Sequence, residues 1–354
     1  MSAMLICCEQ AAPTVVDPPF PGIETERPVI IDFHNHYYPF EYLKAIDKGG
    51  SHYRISTDDE GNPVLHSPGD YNVLVPGHRD LDFREAVLDK HGIERQVLTF
   101  TAPGTSIEAP ERAVHLCQIV NDALARETRS RSGRFSALAT LPMNAPEEAA
   151  DEADRVLGPL GLPGVMLFSN ASGVPLYDSR FEPVFRRLDE AGAVVYIHPT
   201  YPVGVEVMEE FMLMPMVGFL MDTTLAAAGL VYSGTMERFP RIRWVLAHLG
   251  GAVPYMAERF DRGFEAYPAC RERCSIKPSE QLRQVFYDTV NFDPAALRLA
   301  IEFAGAERIV AGSDYPHQIG SLSRMLESLD SLQLSESQRA GILGGNAAAL
   351  LGLG

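Results

Sequence analysis

Cysteine is scarce in this 354-residue chain: there are five, Cys7, Cys8, Cys117, Cys270 and Cys274, an odd and scattered set. That excludes a disulfide framework and reads as reduced thiols in a cytoplasmic protein. Cys270 and Cys274 stand four apart, but no second pair or nearby histidine completes a metal set around them. Positive charge is short as well. Lys and Arg total 30 against 47 Asp and Glu, a formal net charge of -17. Such a balance argues against a general nucleic-acid or anionic-membrane binder, and an anionic substrate would need a local positive patch. No apolar run of membrane-spanning length is free of charge and proline: Phe211 to Val231 comes nearest, and Pro215, Asp222, Gly218 and Gly229 interrupt it. No basic region precedes the short apolar start, Met1 to Cys8, and Pro13, Pro18, Pro19, Pro21 and Pro28 follow it. Residues 1–27 therefore read as an extended arm and not as a signal peptide.

What is present is material for a large core, with 46% hydrophobic and 22% charged residues. Beyond the arm, short β-branched runs alternate with amphipathic stretches, the pattern of repeated β-α units around a parallel sheet. Eight strands are expected near residues 29–34, 95–100, 135–141, 164–169, 193–198, 242–248, 285–290 and 308–313. Helical patterns lie between them, as at Glu111 to Arg129, Pro146 to Leu157, Phe181 to Ala191, Pro254 to Ala266 and Pro294 to Phe303, and Ser335 to Leu353 reads as a capped closing helix. Eight alternations predict an α/β fold, a (β/α)8 TIM barrel occupying residues 28–354. A doubly wound open sheet is the competing layout, but no glycine-rich phosphate turn follows the first strand. Residues 49–76 break the alternation. There Tyr53-Arg54-Ile55-Ser56 and Pro63-Val64-Leu65-His66 flank a polar turn, the mark of a small hairpin inserted after the first strand, either a lid over the barrel mouth or a solvated excursion. The segment Val207 to Asp222 holds Met208, Met212, Met214, Met216 and Met221, read as filling for an irregular core or helix contact, with a pocket wall as the alternative.

The stretch Ile30-Ile31-Asp32-Phe33-His34-Asn35-His36 puts two imidazoles two residues apart at the end of an apolar run. Alternation along a strand sends both to one side, where they can close on one ion. Taken alone, such a pair is more often a satisfied core or surface pair. Three further candidates follow in order, each just past a short apolar run: His198, His248 and Asp314. All sit at strand C-termini, the face where such barrels place their chemistry. Histidines and a carboxylate suit one divalent cation, with zinc the first choice and manganese or magnesium as alternatives. His34, His36, His198 and Asp314 would hold it and leave an open position, while His248 is better placed as an acid/base.

The motifs His34-Asn35-His36, Tyr196-Ile197-His198-Pro199, Ala247-His248-Leu249-Gly250-Gly251 and Gly312-Ser313-Asp314-Tyr315-Pro316 together resemble the amidohydrolase superfamily. More narrowly, the chain looks like its decarboxylase branch, which includes aminocarboxymuconate semialdehyde decarboxylase and the salicylate- and resorcylate-type decarboxylases. The resemblance runs from about Val29 to Leu351, and Leu138 to Pro146, Gly161 to Val165, Phe239-Pro240 and Gly345-Asn346-Ala347 fall in step with it. It implies a (β/α)8 barrel with one metal on His34, His36, His198 and Asp314, and His248 as acid/base. The two-metal members use a bridging lysine after the fourth strand, and Gly164 to Asn170 offers none. Arg259 matches an arginine that in this branch crosses a dimer interface to hold a substrate carboxylate, so the resemblance implies a homodimer or higher homo-oligomer. A helix-surface arginine is the plainer reading. The second substrate arginine of the semialdehyde enzyme has no clear match, only Arg79 lying close, and Thr200-Tyr201 replaces the aromatic that follows its His-Pro pair. Asp222-Thr223-Thr224 and Ser233-Gly234-Thr235 look closer to the methylsalicylate-type enzymes.

Decarboxylation leaves electrons on carbon, so a site must stabilise that charge and then deliver a proton. A metal gripping the carboxylate and a neighbouring oxygen meets the first need, and Asp314 or His248 meets the second. The expected function is a metal-dependent, non-oxidative decarboxylase, a carboxy-lyase, of an aromatic or enoic carboxylic acid. The alternative is a hydrolase or hydratase using metal-activated water on the same parts, with a non-catalytic metal-binding barrel behind both. Phe168, Tyr201, Phe211 and Tyr315 are candidates for an aromatic-accepting pocket, each also explicable as core.

Overall fold

The computed structural model describes residues 28–47, 51–67, 70–208 and 210–353, so the predicted arm at 1–27 lies outside the described residues. Eight parallel strands follow one another in chain order: β1 Ile31–His36, β2 Arg95–Thr99, β3 Phe135–Ala137, β4 Gly164–Phe168, β5 Val194–His198, β6 Arg243–Leu246, β7 Phe286–Asp288 and β8 Ile309–Val310. Every one falls at a predicted position. Ladders join β1 to β2 to β3 and β4 through β8, and backbone hydrogen bonds outside these ladders close the two seams. Ala139 N donates to Gly164 O at 3.0 Å beside β3 and β4, and Phe33 N donates to Ala311 O at 2.8 Å between β1 and β8. The result is a closed barrel without a sheet edge.

Inside it, Phe33, Val97, Leu138, Met166, Val194, Tyr196, Val245 and Val310 form one buried cluster, with Leu350 of the closing helix Asn346–Leu351 packed against its lower end. A second, larger cluster fills the layer between strands and outer helices. The outer helices form where the spacing predicts, including Pro110–Ser130, Pro146–Leu157, Glu182–Glu190, Val253–Ala266 and Pro294–Ala304. Several begin with proline in the first turn, where its missing N–H costs no hydrogen bond. The tail is capped as expected, by reciprocal bonds between Ser335 and Gln338, but is split by a wide turn at Gly341–Gly345.

Two expectations need correction. The insertion follows a short helix, Phe40–Asp47, and is a three-stranded antiparallel sheet, because Asp70–Val73 adds to the hairpin of Arg54–Thr57 and Pro63–Ser67. It leans on the loop after β2, where Tyr53 Oη donates to Gly104 O at 2.8 Å. The methionine-rich segment is not core: Met212, Met216 and Met221 are exposed, and so is Phe211, at 83%. Glu210–Tyr232 has the length and apolarity of a membrane span, and Phe211 and Met212 take left-handed backbone angles that interrupt its first turn. Its helical part, Phe219–Tyr232, is tied to Val253–Ala266 by Tyr232 Oη donating to Phe260 O at 2.7 Å.

Candidate metal centre and active site

Strict alternation along β1 would send His34 outward if Phe33 faces in. The ladder with β2 shifts register between Asp32 and Asn35, and this bulge re-aims the strand end. Both Phe33 and His34 then meet the Tyr196 ring, at 5.4 and 5.5 Å, while His34 and His36 lie together with ring centroids 5.0 Å apart. Gly312, just past β8, makes room, since a Cβ there would stand 2.7 Å from the Cβ of His34.

Hydrogen bonds fix which ring nitrogens face the centre. His34 Nδ1 is 2.6 Å from Asp288 Oδ2, and His198 Nδ1 is 2.8 Å from the carbonyl of Pro199. Both partners are acceptors, so both Nδ1 atoms carry a proton and both Nε2 atoms face the centre, where each can offer a lone pair to a cation once any second proton has left. His198 Nε2 is buried with no partner. His34 Nε2 and His36 Nε2 are 3.2 Å apart, and Asp314 Oδ1 lies 3.4 and 3.0 Å from them. His34, His36 and His198 bring their ligand atoms within 4.8 Å of one another, and His34, His248 and Asp314 do the same, so the overlapping buried clusters offer donors that fit a divalent cation. The charge balance agrees. Burial opposes a charge on His34, but Asp288 and Asp314 overcome it and raise this group to about 10. A proton there supplies the positive charge that a cation would otherwise bring. Burial keeps His36 and His198 well below the usual imidazole range.

Asp288, at the end of β7, holds the centre from behind. Its Oδ2 accepts from His34 Nδ1, from Tyr196 Oη at 2.8 Å and from His248 N at 3.0 Å, and its Oδ1 accepts from Leu249 N at 3.0 Å and Val290 N at 2.9 Å. Burial alone would raise its carboxyl; the His34 charge instead holds it at about 2. The two backbone bonds pin His248 and Leu249 in left-handed conformation, and Asp314 is left-handed too, with φ of 54°, 57° and 60°. Such angles persist only where surrounding bonds over-determine them. His248 Nε2 ends 4.0 Å from Asp314 Oδ2, and its Nδ1 is buried without a partner. Burial and then the His34 charge lower His248 to about 4.

A polar network braces the seam beneath. Asp32 accepts from Gln96 Nε2 at 2.7 Å and from Ser313 Oγ at 2.6 Å. Arg84, fully buried, donates to Asn35 Oδ1 at 2.6 Å, Gln96 Oε1 at 3.0 Å and the carbonyls of His36 and Gly77. Asn35 thus faces away from the mouth so that His34 and His36 can face it.

His34, His36, His198, His248 and Asp314 are therefore brought together. The proposed substrate residues are scattered. Phe168 meets the His198 ring at 6.3 Å. The carbonyl of Tyr201 accepts from Asn170. The Tyr315 ring lies 5.1 Å from the Arg84 guanidinium and against Gly77, so it packs the seam and does not line the mouth. Exposed Phe211 is no pocket wall, and Arg79 donates to Leu74 O. Arg259 is exposed on helix Val253–Ala266. Sequence reasoning missed Asp288, Arg84, His78 and His317. Asp288 carried the signal already used for the others, a ligand-type residue ending a predicted strand.

This barrel with its imidazole-carboxylate mouth is that of a metal-dependent hydrolase or lyase. The chain belongs to the amidohydrolase family, whose model matches residues 31–353. It is 30% identical to 2-amino-3-carboxymuconate-6-semialdehyde decarboxylase of Dictyostelium discoideum, over 92% of each chain. It is likewise 30% identical to gamma-resorcylate decarboxylase of Rhodococcus jostii, over 77% of this chain and 87% of that one. Among solved structures it resembles dihydroxybenzoic acid decarboxylase from Polaromonas, with bound manganese and the inhibitor 2-nitroresorcinol, at a TM-score of 0.77 and 25% identity, covering 92% of this chain and 98% of that one.

Proposed function

We infer that this chain is a metal-dependent, non-oxidative decarboxylase of an aromatic or enoic carboxylic acid. The observation that carries it is the convergence of His34, His36, His198 and Asp314 beside His248, in a chain whose relatives over nearly their whole length are decarboxylases. When bound, the metal supplies positive charge for the substrate carboxylate and for the electrons left on carbon as CO2 departs. The protein's own groups handle the proton. Asp314 is held well below the usual carboxylate range, since the hydrogen bonds from His34 and His36 outweigh its burial. With His248 at about 4, both groups meet the substrate as bases. For a substrate that carries a hydroxyl, its ionisation on binding loads one of them, that proton passes to the carbon that loses CO2, and the product leaves as its oxyanion, which takes a proton from water. Phe168, Tyr201 and the exposed Arg259 remain candidates for substrate contact.

Three imidazoles and one carboxylate favour zinc, while the manganese in the Polaromonas relative makes that ion the first competitor. We also propose a homodimer. Leu225 and Tyr255, exposed at 63% and 81%, lie on adjacent helices beside Met221, and Arg259 is one turn beyond Tyr255 on the same face. A second copy covering this apolar face would bring Arg259 into the interface. Free Cys117, Cys270 and Cys274 support placement in a reducing compartment, the cytoplasm. The test of function is to offer the metal-loaded enzyme aromatic and enoic carboxylates and record both CO2 and water-dependent products. CO2 release supports the lyase, and acid or alcohol products without CO2 move the assignment to a hydrolase.

A further inference from the structure

One buried carboxylate near the metal centre has no part in the reaction proposed above. Asp222, on helix Phe219–Tyr232, is 6% exposed. Its Oδ2 accepts from Ser169 Oγ, from Asn170 Nδ2 at 3.4 Å and from Thr200 N at 3.4 Å, and its Oδ1 takes no donor among the described residues. All of these partners are neutral. Burying a carboxylate against neutral donors alone is costly. An amide would be the cheaper residue at this position, since an Asn oxygen in the Oδ2 place keeps all three bonds without the charge. The charge therefore calls for a use.

That use lies one peptide group away. Thr200 N donates to Ser169 Oγ as well, at 3.1 Å, so two acceptors grip it. At the other end of the same peptide is Pro199 O, which accepts from His198 Nδ1 at 2.8 Å. A trans peptide is planar, so fixing its N–H fixes where its carbonyl points. Hydrogen bonds in series also polarise one another: an anion on the N–H side pushes electron density onto the carbonyl oxygen and makes it a stronger acceptor. A stronger acceptor at Nδ1 makes Nε2 a better ligand, and Nε2 of His198 is the atom left buried without a partner. The ends of β4 and β5 are knotted at the same point, for Ser169 N donates to His198 O at 2.8 Å and Asn170 Nδ2 to Tyr201 O at 3.2 Å. His34 has its carboxylate, Asp288, directly on Nδ1; His198 has one at the far side of a peptide.

We propose that Asp222 is a positioning residue of the metal centre, acting on His198 through the Pro199–Thr200 peptide to orient the ring and strengthen Nε2 as a ligand. Asp222 touches neither metal nor substrate. The inference rests on His198 being a ligand, as read above, and not on which reaction the site performs.

The test reads zinc affinity by competition with a chromophoric chelator and stability by urea unfolding of the metal-free protein. Asp222→Asn keeps the bonds and removes the charge. Its urea midpoint should stay at or above that of wild type while zinc binds about tenfold more weakly, the low end of the range for losing a direct histidine partner. Ser169→Ala keeps the charge and removes the nearer acceptor of Thr200 N, so it separates the peptide route from the bare field of the anion; zinc should weaken about fivefold. Tyr232→Phe deletes the bond to Phe260 O at the far end of the same helix. It should lower the urea midpoint and leave zinc affinity unchanged. Zinc affinity within about twofold of wild type in either Asp222→Asn or Ser169→Ala overturns the proposal. So does an equal loss in Tyr232→Phe, which would trace the effect to movement of the helix. If Asp222→Asn does not fold, Ser169→Ala decides: unchanged affinity overturns the proposal, and a loss that Tyr232→Phe does not share supports it. His198→Ala is measured alongside. Wild-type zinc affinity in His198→Ala means that the ligand assignment has failed and takes the proposal with it, whereas zinc lost there but kept by Asp222→Asn means that the peptide route alone has failed.

Discussion

Replacing Asp288 by Asn tests whether the carboxylate behind His34 builds the metal centre. The carboxylate accepts five hydrogen bonds, three on Oδ2 and two on Oδ1. An amide keeps one oxygen. If its NH2 takes the Oδ1 position, it faces the N–H groups of Leu249 and Val290; if it takes the Oδ2 position, it faces three donors. The smaller loss is two bonds to a charged acceptor, at about 1.5 kcal/mol each or roughly 3 kcal/mol in stability. His34 also loses the anion that orients its ring and makes its Nε2 a stronger donor to metal, an effect typically worth about 10–100-fold in affinity. Competition with a chromophoric chelator reads the affinity, and urea unfolding of the metal-free protein reads the stability. Tyr196→Phe is the control. It removes one bond and leaves the carboxylate, so it should cost about 1 kcal/mol and barely move the metal. An Asp288→Asn protein that binds metal within about twofold of wild type would refute the argument that Asp288 sets the geometry and basicity of His34.

Other expectations separate the remaining roles. His248→Ala should keep the metal and lose about 10²-fold or more in kcat, whereas Asp314→Ala should lose both; metal analysis beside kcat decides, and the reverse outcome would exchange the two assignments. Because His34 is protonated below about 10 in the metal-free protein, each ion bound at neutral pH should displace about one proton, and affinity should rise about tenfold per pH unit until that group is deprotonated. Titration at pH 6, 7 and 8 checks this, and a flat affinity across that interval contradicts it. One metal per chain should be found by elemental analysis of native protein, with none held at full occupancy when His34 and His36 are both Ala. Leu225→Glu should shift sedimentation toward monomer and Arg259→Ala should weaken the catalytic constants of the dimer; a wild-type monomer with full activity would end the dimer proposal.

The strands were legible because a buried parallel strand needs a run of apolar, β-branched residues, and Val194 to Ile197 and Arg243 to Leu246 have little else to be. His34, His36, His198 and Asp314 were legible because barrel chemistry gathers at strand ends. The bulge that turns His34 inward was not, since it depends on the ladder with β2 and leaves no mark in Asp32-Phe33-His34. Nor were Arg84 and Gln96, whose partners lie on other strands and whose residue types suggest solvent. His78 and His317 stand 239 positions apart in the chain, so only the closed barrel makes them a pair. The methionines misled for a different reason: their number says that a segment is apolar, not which side of it the barrel covers. Asp70-Tyr71-Asn72-Val73 was overlooked as a strand because its pairing with Pro63–Ser67 is carried by backbone, with little apolar alternation to announce it.

The seam between β1 and β8 has a consequence for how the protein is made. Asp32 and Ser313 are 281 positions apart, and His36 and Asp314 are 278. During synthesis the two histidines leave the ribosome hundreds of residues ahead of the carboxylate that completes their site, and the first strand has one neighbour but not its second until nearly the whole chain is out. Early metal would find only an incomplete grip. With the ligand set proposed above, the ion would be acquired after translation, joining the two ends of the barrel like a clasp.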